Sequence, residues 1–112
     1  MPLDTATGVR ERAVNRLAKF FSAACPVRIP VRLERGRGAQ IAFENTVIEF
    51  GTAQEVLFGS ALPLDIAERL RVENFDGSLN VEVEVVAVQC HEEERAVAAR
   101  FLQQVPHWIL KG

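Results

Sequence analysis

Apolar residues recur at steps of three and four in the N-terminal part of the chain, with arginine and lysine between them. The positions that follow this spacing are Val9, Ala13, Leu17 and Phe20 or Phe21. This period is typical of an amphipathic α-helix with one apolar stripe. The sequence predicts a helix over residues 8–24, which ends before Pro26 because proline disfavours helical geometry at the preceding residue.

The apolar stripe of this helix needs a partner. A helix of this length is marginal in water unless tertiary contacts bury its apolar side. We expect Val9, Leu17 and Phe20 or Phe21 to pack either on the rest of the chain or on a second copy. The second arrangement would make the N-terminal helix the interface of a homo-oligomer.

After Pro26 the apolar period changes to two, which is the period of a β-strand with one buried face. The residues on the apolar face are Val27, Ile29, Val31 and Leu33. Pro30 cannot donate a ladder hydrogen bond, so we expect this strand at an edge or at the closure point of a barrel. Further alternating segments, joined by glycine-, proline- or acid-rich turns, bring the count to six or seven short strands.

The longest alternating segment follows the turn at NFDG. Apolar residues occupy every second position from Leu79 to Val85, and the alternation then continues in the opposite phase from Val86. Such a phase change is typical of a β-bulge, in which one extra residue is inserted into a strand. The sequence therefore predicts a bulge next to Val85.

Short strands without helices between them favour an antiparallel barrel. The predicted fold class is mainly β, a small antiparallel six-stranded β-barrel with an N-terminal amphipathic α-helix. Residues 1–26 would hold the helix and residues 27–112 the barrel and an apolar C-terminal tail, within one domain overall. The predicted barrel core consists of Val31, Leu33, Ile41, Phe43, Leu57, Leu70, Val83, Val85 and Phe101.

Composition narrows the setting of this domain. The chain has 112 residues, 48% of them hydrophobic, which is enough for one domain with a core. A formal charge of −2 gives no general attraction to nucleic acid, and no nucleic-acid partner is expected. Two cysteines, the lack of a signal-peptide pattern and the lack of an apolar run of ~20 residues predict a cytoplasmic protein without a transmembrane segment.

Between Val27 and about Leu102 the chain resembles the PilZ domain, a small β-barrel family of bacterial cyclic di-GMP signalling and motility control. VIEFGTAQEVLF, residues 47–58, stands where that family has its second-strand motif. PLDIAERLRVEN, residues 63–74, resembles its proline turn and the following strand, and VAARFLQ, residues 97–103, resembles its closing strand. The resemblance implies a PilZ-like barrel and a signalling role.

The nucleotide motif of the family is altered in this chain. Members that bind cyclic di-GMP carry an Arg-x-x-x-Arg stretch before the first strand and an Asp/Asn-x-Ser-x-x-Gly stretch on the following hairpin, because arginines clamp phosphates. The second stretch reads EFGTAQ here, at residues 49–54, so glycine replaces the serine and glutamine the glycine. Arg12 and Arg16 match the first stretch, but they lie too early, inside the predicted helix.

Two functional interpretations follow from these differences. The first is a non-enzymatic adaptor or regulatory domain that binds another protein and lacks cyclic di-GMP binding. Its predicted interface residues are Arg28, Arg32, Arg35, Arg37 and Trp108, since arginine and tryptophan often anchor interfaces. The alternative is a cyclic di-GMP effector with a non-standard ligand set, consisting of Arg12, Arg16, Arg28, Arg32 and Glu49.

The four arginines of the first strand and the following turn also have a simpler interpretation as a solvated outer face. No enzymatic activity is predicted, because the chain offers no nucleophile–base pattern and no glycine-rich phosphate loop. No cofactor is predicted either. Cys90 and His91 are metal-ligand types, but they lack the paired spacing of a metal site, so no metal is expected.

Overall fold

Six strands pair side by side in an antiparallel ring, and a short helix packs on the outside of that ring. The computed structural model describes residues 11–36, 40–106 and 108. The elements in this part of the chain are α1 (Ala13–Ala18), β1 (Cys25–Arg35), β2 (Ala42–Gly51), β3 (Glu55–Gly59), β4 (Arg69–Asn74), β5 (Asn80–His91) and β6 (Glu94–Phe101). The strand order is β1–β2–β3–β6–β5–β4, and β4 pairs with β1 to close the barrel. The predicted fold class is confirmed.

The barrel interior is filled by apolar side chains that alternate along the strands. Its main members are Val31, Leu33, Ile48, Val56, Phe58, Leu70, Val72, Val81, Val83, Val85, Val97, Ala99 and Phe101. Most of the predicted core residues are in this list. Leu57 is also fully buried, but it packs outside the barrel, beneath α1.

The prediction is wrong for Ile41 and Phe43, whose side chains are 38% and 53% exposed. Ile48 is fully buried and sets the register of β2. Because side chains alternate along a strand, the even-numbered residues before Ile48 face inward and the odd-numbered ones outward. Ile41 and Phe43 therefore lie on the outer surface of the barrel.

Polar side chains on the inner side of β2 hold it in this register. Thr46 donates a hydrogen bond to the carbonyl of Gly59 over 2.7 Å. The carboxylate of Glu44 accepts hydrogen bonds from the hydroxyl of Ser60 at 2.6 Å and from the amide of Ala61 at 2.7 Å. These bonds tie β2 to the end of β3, and a shift by one residue would break all of them.

The bulge predicted in β5 is confirmed, since the register of β5 against β6 shifts between Val85 and Ala87. Val85 is buried inside the barrel, whereas Val86 and Ala87 pack against α1 on the outside. At the other side of the ring, Pro30 lies one residue before the segment of β1 that pairs with β4. The proline thus stands beside the closure point of the barrel, where the sequence placed it.

The helix is shorter than the predicted range of 8–24, of which residues 8–10 lie outside the described residues. After Ala18 the backbone bonds connect residue i to residue i−3, as in tight turns. These turns bring Phe21 against the barrel and leave Phe20 73% exposed. The helix therefore ends well before Pro26, because the chain has to turn towards β1.

The apolar side of α1 packs on the barrel of its own chain. Val14 and Leu17 are almost completely buried against Leu57, Ala96 and Ala98. The alanines of β6 let the helix approach the strand closely because they present only a methyl group. A six-residue helix is not stable alone, so this contact is what maintains α1.

Candidate functional site

The tip of the hairpin between β2 and β3, where the family motif would lie, is closed by its own hydrogen bonds. The hydroxyl of Thr52 accepts bonds from the amides of Gln54 and Glu55, at 3.0 and 2.9 Å, and donates to the carboxylate of Glu55. The Thr52 amide donates to the Glu55 carbonyl over 2.9 Å. This turn satisfies its own polar groups, as serine and threonine turns do.

Trp108 covers the same hairpin tip. Its indole Nε1 donates a hydrogen bond to the Thr52 carbonyl over 2.9 Å. Its ring meets the ring of Phe101 edge to face, with centroids 5.3 Å apart. The tail residue predicted to anchor a partner thus contacts its own chain through both its ring and its N–H group.

Glu49 stands at a register shift in β2 and is bound by Arg12. Arg12 Nη1 lies 2.6 Å from Glu49 Oε1, and Arg12 Nε lies 3.9 Å from Glu94 Oε2. The other oxygen of Glu94 accepts a hydrogen bond from the amide of Ala13 over 2.8 Å, which caps the first turn of α1. The guanidinium of Arg12 therefore lies between two carboxylates that come from opposite parts of the sequence.

Arg16 does not share this site with Arg12. Its Nη1 lies 3.5 Å from Glu11, a carboxylate that also binds Lys19 over 2.7 Å. The hydrogen bond from Lys19 lowers the pKa of Glu11 below its ordinary value, against a smaller opposing effect of burial. Arg12 and Arg16 match the spacing of the family motif, but they bind different carboxylates.

The predicted arginines of β1 are in three different environments. Arg28 is exposed, and no partner for it occurs in the described part of the chain. Arg32 lies 3.3 Å from Glu73 and stacks over the ring of Phe43, 4.8 Å from its centroid. Arg35 is mostly buried in a contact with the β3–β4 connection. Arg37 lies outside the described residues.

The contact of Arg35 is built around the carboxylate of Glu68. Arg35 Nε and Nη2 lie 2.5 and 3.3 Å from the two oxygens of Glu68, and Nη2 also donates to the Pro63 carbonyl over 3.3 Å. Burial raises the pKa of Glu68, but the hydrogen bonds from Arg35 and from the amide of Asp65 outweigh burial and lower this pKa overall. Arg35 thus fixes a loop of its own chain.

Other arginines belong to rows of alternating charge that run across the outer face of the strands. One row, read from the strand registers, is Glu55, Arg100, Glu84 and Arg69. A second row is Glu34, Arg71 and Glu82. Opposite charges on neighbouring strands are favourable, so much of the arginine content belongs to a solvated charged surface.

Sequence reasoning missed two features of the surface. Phe43 and Phe75 are 53% and 67% exposed, and Phe75 borders a depression of about 180 Å³ that Arg32, Glu73 and Asn74 also line. An aromatic residue inside the turn NFDG was the available signal for Phe75. The cap that Glu94 provides had no local signal, because its partner lies 81 positions away.

Among residues 11–36, 40–106 and 108, no group of three histidine, cysteine, aspartate or glutamate side chains could hold a metal ion. No helix in that part of the chain is long and apolar enough to cross a membrane.

Comparisons with known proteins identify the fold. No family model and no curated protein sequence matches the chain. Among solved structures, the chain is similar to the Bacillus subtilis inhibitor of motility MotI/DgrA, a PilZ-fold protein, with a TM-score of 0.57 and 12% sequence identity. The match covers 75% of this chain but only 43% of MotI/DgrA, so the chain spans less than half of that protein. At this identity the similarity shows the fold alone, which is PilZ-like.

Proposed function

We propose that this protein is a non-enzymatic, cytoplasmic PilZ-like adaptor that acts through protein contacts and does not bind cyclic di-GMP. The observation that carries the proposal is the 2.6 Å ion pair between Arg12 and Glu49. Glu49 stands at the acidic position of the family motif, and its carboxylate is already bound by an arginine of the same chain. A nucleotide would have to break this pair and also desolvate both groups.

Two more contacts support the absence of a nucleotide site. The hydroxyl of Thr52 is not free to bind a base, since it already donates one hydrogen bond and accepts two. Trp108 occupies the carbonyl of the same residue. The name of MotI/DgrA as an inhibitor of motility supports a regulatory role for a barrel of this fold.

One observation favours the alternative, a cyclic di-GMP effector with an unusual arginine set. The fold brings Arg12 to the hairpin across 37 positions of sequence, so a motif arginine and the motif acid do meet. Arg28 is a further cation without a partner in the described structure. In this alternative the phosphates of the nucleotide would replace Glu49 as the partner of Arg12.

Calorimetric titration of the full chain with cyclic di-GMP separates the two functions. We expect no saturable heat for the wild type or for Glu49→Gln, a variant that removes the competing charge. A micromolar or tighter Kd for the wild type, lost in Arg12→Ala and kept in Arg69→Ala, would establish the effector instead. Arg69 is the matched control because it is exposed and belongs to the charged row with Glu84 and Arg100, not to the contact around Arg12.

A further inference from the structure

The outer face of β2 carries more apolar surface than a solvated strand normally shows. Phe43 and Ile41, which directly precedes β2, are exposed and Val47 is partly exposed. Glu44 and Thr46 face the inner side, because they pair with the buried Leu33 and Val31. In antiparallel barrels the side chains that face water are normally polar. In residues 41–47 the usual pattern is thus reversed, with polar side chains facing inward and apolar ones facing outward. This reversal leaves apolar side chains where water would contact them.

The apolar side chains form a defined surface with Arg32 at its centre. Arg32 stacks on Phe43 of β2 on one side, and on the other it borders the depression next to Phe75, after the end of β4. We call these three residues the Phe43–Arg32–Phe75 patch. The helix does not cover it, because α1 packs on β3, β5 and β6.

Charge indicates what would bind there. Among the described residues Arg32 has a single carboxylate contact, to Glu73 at 3.3 Å, which leaves most of its five N–H donors for another group. Stacking on Phe43 holds the guanidinium flat and accessible. Arg28 adds a second cation on the exposed side of β1. The patch therefore offers a planar cation between two exposed aromatic rings.

We propose that the Phe43–Arg32–Phe75 patch is the docking surface for an acidic segment of a partner protein whose carboxylates alternate with apolar side chains. A carboxylate would bind Arg32 through two parallel hydrogen bonds, and apolar side chains of the segment would cover the rings of Phe43 and Phe75. This inference rests on the proposed adaptor function, for which it specifies the surface and the chemistry of the partner.

A library of random short peptides displayed on phage tests the surface without knowledge of the natural partner. The library is selected on the purified full chain and depleted on the double variant Arg32→Gln, Phe43→Ser. We expect the enriched peptides to combine aspartate or glutamate with leucine or aromatic residues. No enrichment, or enriched peptides without acidic residues, would overturn the proposal.

The best peptide is then synthesised, and its affinity is measured by fluorescence anisotropy. Arg32→Gln and Phe43→Ser should each weaken binding at least tenfold, and added salt should weaken binding to the wild type. The matched controls are Arg69→Gln and Phe20→Ser, which change an exposed arginine and an exposed phenylalanine elsewhere. Equal losses in the patch variants and the controls would show that the patch is not the docking surface.

Sedimentation velocity distinguishes a second copy as the occupant. We expect a monomer for the wild type, and a dimer that Phe43→Ser dissociates would overturn the proposal in favour of self-association. The nucleotide titration remains an independent test of the proposed function. Cyclic di-GMP binding would reject that function, whereas failure of the peptide experiments alone would reject only this surface.

Discussion

At the scale of single residues, the arginines of β1 show how similar side chains take different roles on one strand. Arg35 binds both oxygens of Glu68 and a backbone carbonyl, whereas Arg28 has no partner among the described residues. A partly buried charge-assisted bond contributes to stability, while an isolated exposed charge contributes almost nothing. The two positions therefore make a matched pair for mutation.

We expect Arg35→Ala to lower the free energy of unfolding by about 1–2 kcal/mol, because it removes both hydrogen bonds that Arg35 donates to the partly buried Glu68 carboxylate. Arg28→Ala should change it by less than about 0.5 kcal/mol, as exposed substitutions usually do. Urea unfolding followed by circular dichroism measures both values. Equal effects of the two substitutions would contradict the clamp that we assign to Arg35.

The same carboxylate predicts an acid-sensitive part of the stability. The pKa of Glu68 is lowered in the folded protein from an ordinary value near 4.5, so the unfolded chain binds more protons in that range. This stabilisation is present above about pH 4.5 and is lost as the pH falls through the folded pKa of Glu68. In thermal scans from pH 6 to pH 3, Glu68→Gln should show a smaller fall in Tm than the wild type. An unchanged fall in the variant would contradict the assignment.

Of the nine residues predicted to fill the barrel core, Ile41 and Phe43 are exposed and Leu57 packs outside the barrel beneath α1, whereas the other six lie in the barrel interior. Ile41 and Phe43 alternate like core residues, and their hydrophobicity gives no sign that they face water. The register of β2 is set by Ile48 and by bonds from Thr46 and Glu44 to the end of β3. Such partners are invisible in the local pattern, which is why the sequence placed the two residues in the core.

At the scale of elements, α1 depends on its contact with β3 and β6. Leu17 is 3% exposed among Leu57, Ala96 and Ala98. Phe20 lies just after the helix and is 73% exposed. A charged residue at the first position would be buried without a partner, whereas at the second it would remain in water.

We therefore expect Leu17→Asp to lower the free energy of unfolding by about 3 kcal/mol or more, through lost packing and the buried carboxylate. Phe20→Asp should leave it nearly unchanged. Thermal unfolding followed by circular dichroism tests this pair of variants. If Leu17→Asp unfolds at the temperature of the wild type, α1 does not contribute to the stability of the barrel.

The succession of one helix and several short strands could be read from the sequence because each element has its own hydrophobic period. The bulge in β5 could be read because it changes the phase of the alternation within one strand. The end of the helix could not. Its length is limited by the geometry between Leu17, which reaches the barrel, and Cys25, which begins β1. Its cap comes from Glu94 on the last strand, and only the folded barrel brings that carboxylate to Ala13.

At the scale of the whole molecule, Trp108 fastens the C-terminal tail to the hairpin between β2 and β3. It is the single tryptophan of the chain, so intrinsic fluorescence reports this contact directly. Trp108→Ala should lower the free energy of unfolding by about 2 kcal/mol, since a half-buried ring and a hydrogen bond are lost. Leu102→Ala, at a more exposed position nearby, is the control in urea unfolding. An effect no larger than that of the control would show that the tail is not held.

Closure of the barrel limits how any partner can recognise this protein. Each of the six described strands has a neighbour on both sides over at least part of its length, so none of them is a free edge strand. Strand addition, in which an extended peptide extends a sheet along a whole edge through main-chain hydrogen bonds, is therefore disfavoured. We expect recognition to depend mainly on side chains, so that a partner peptide of the right backbone shape but the wrong sequence would gain little from the barrel.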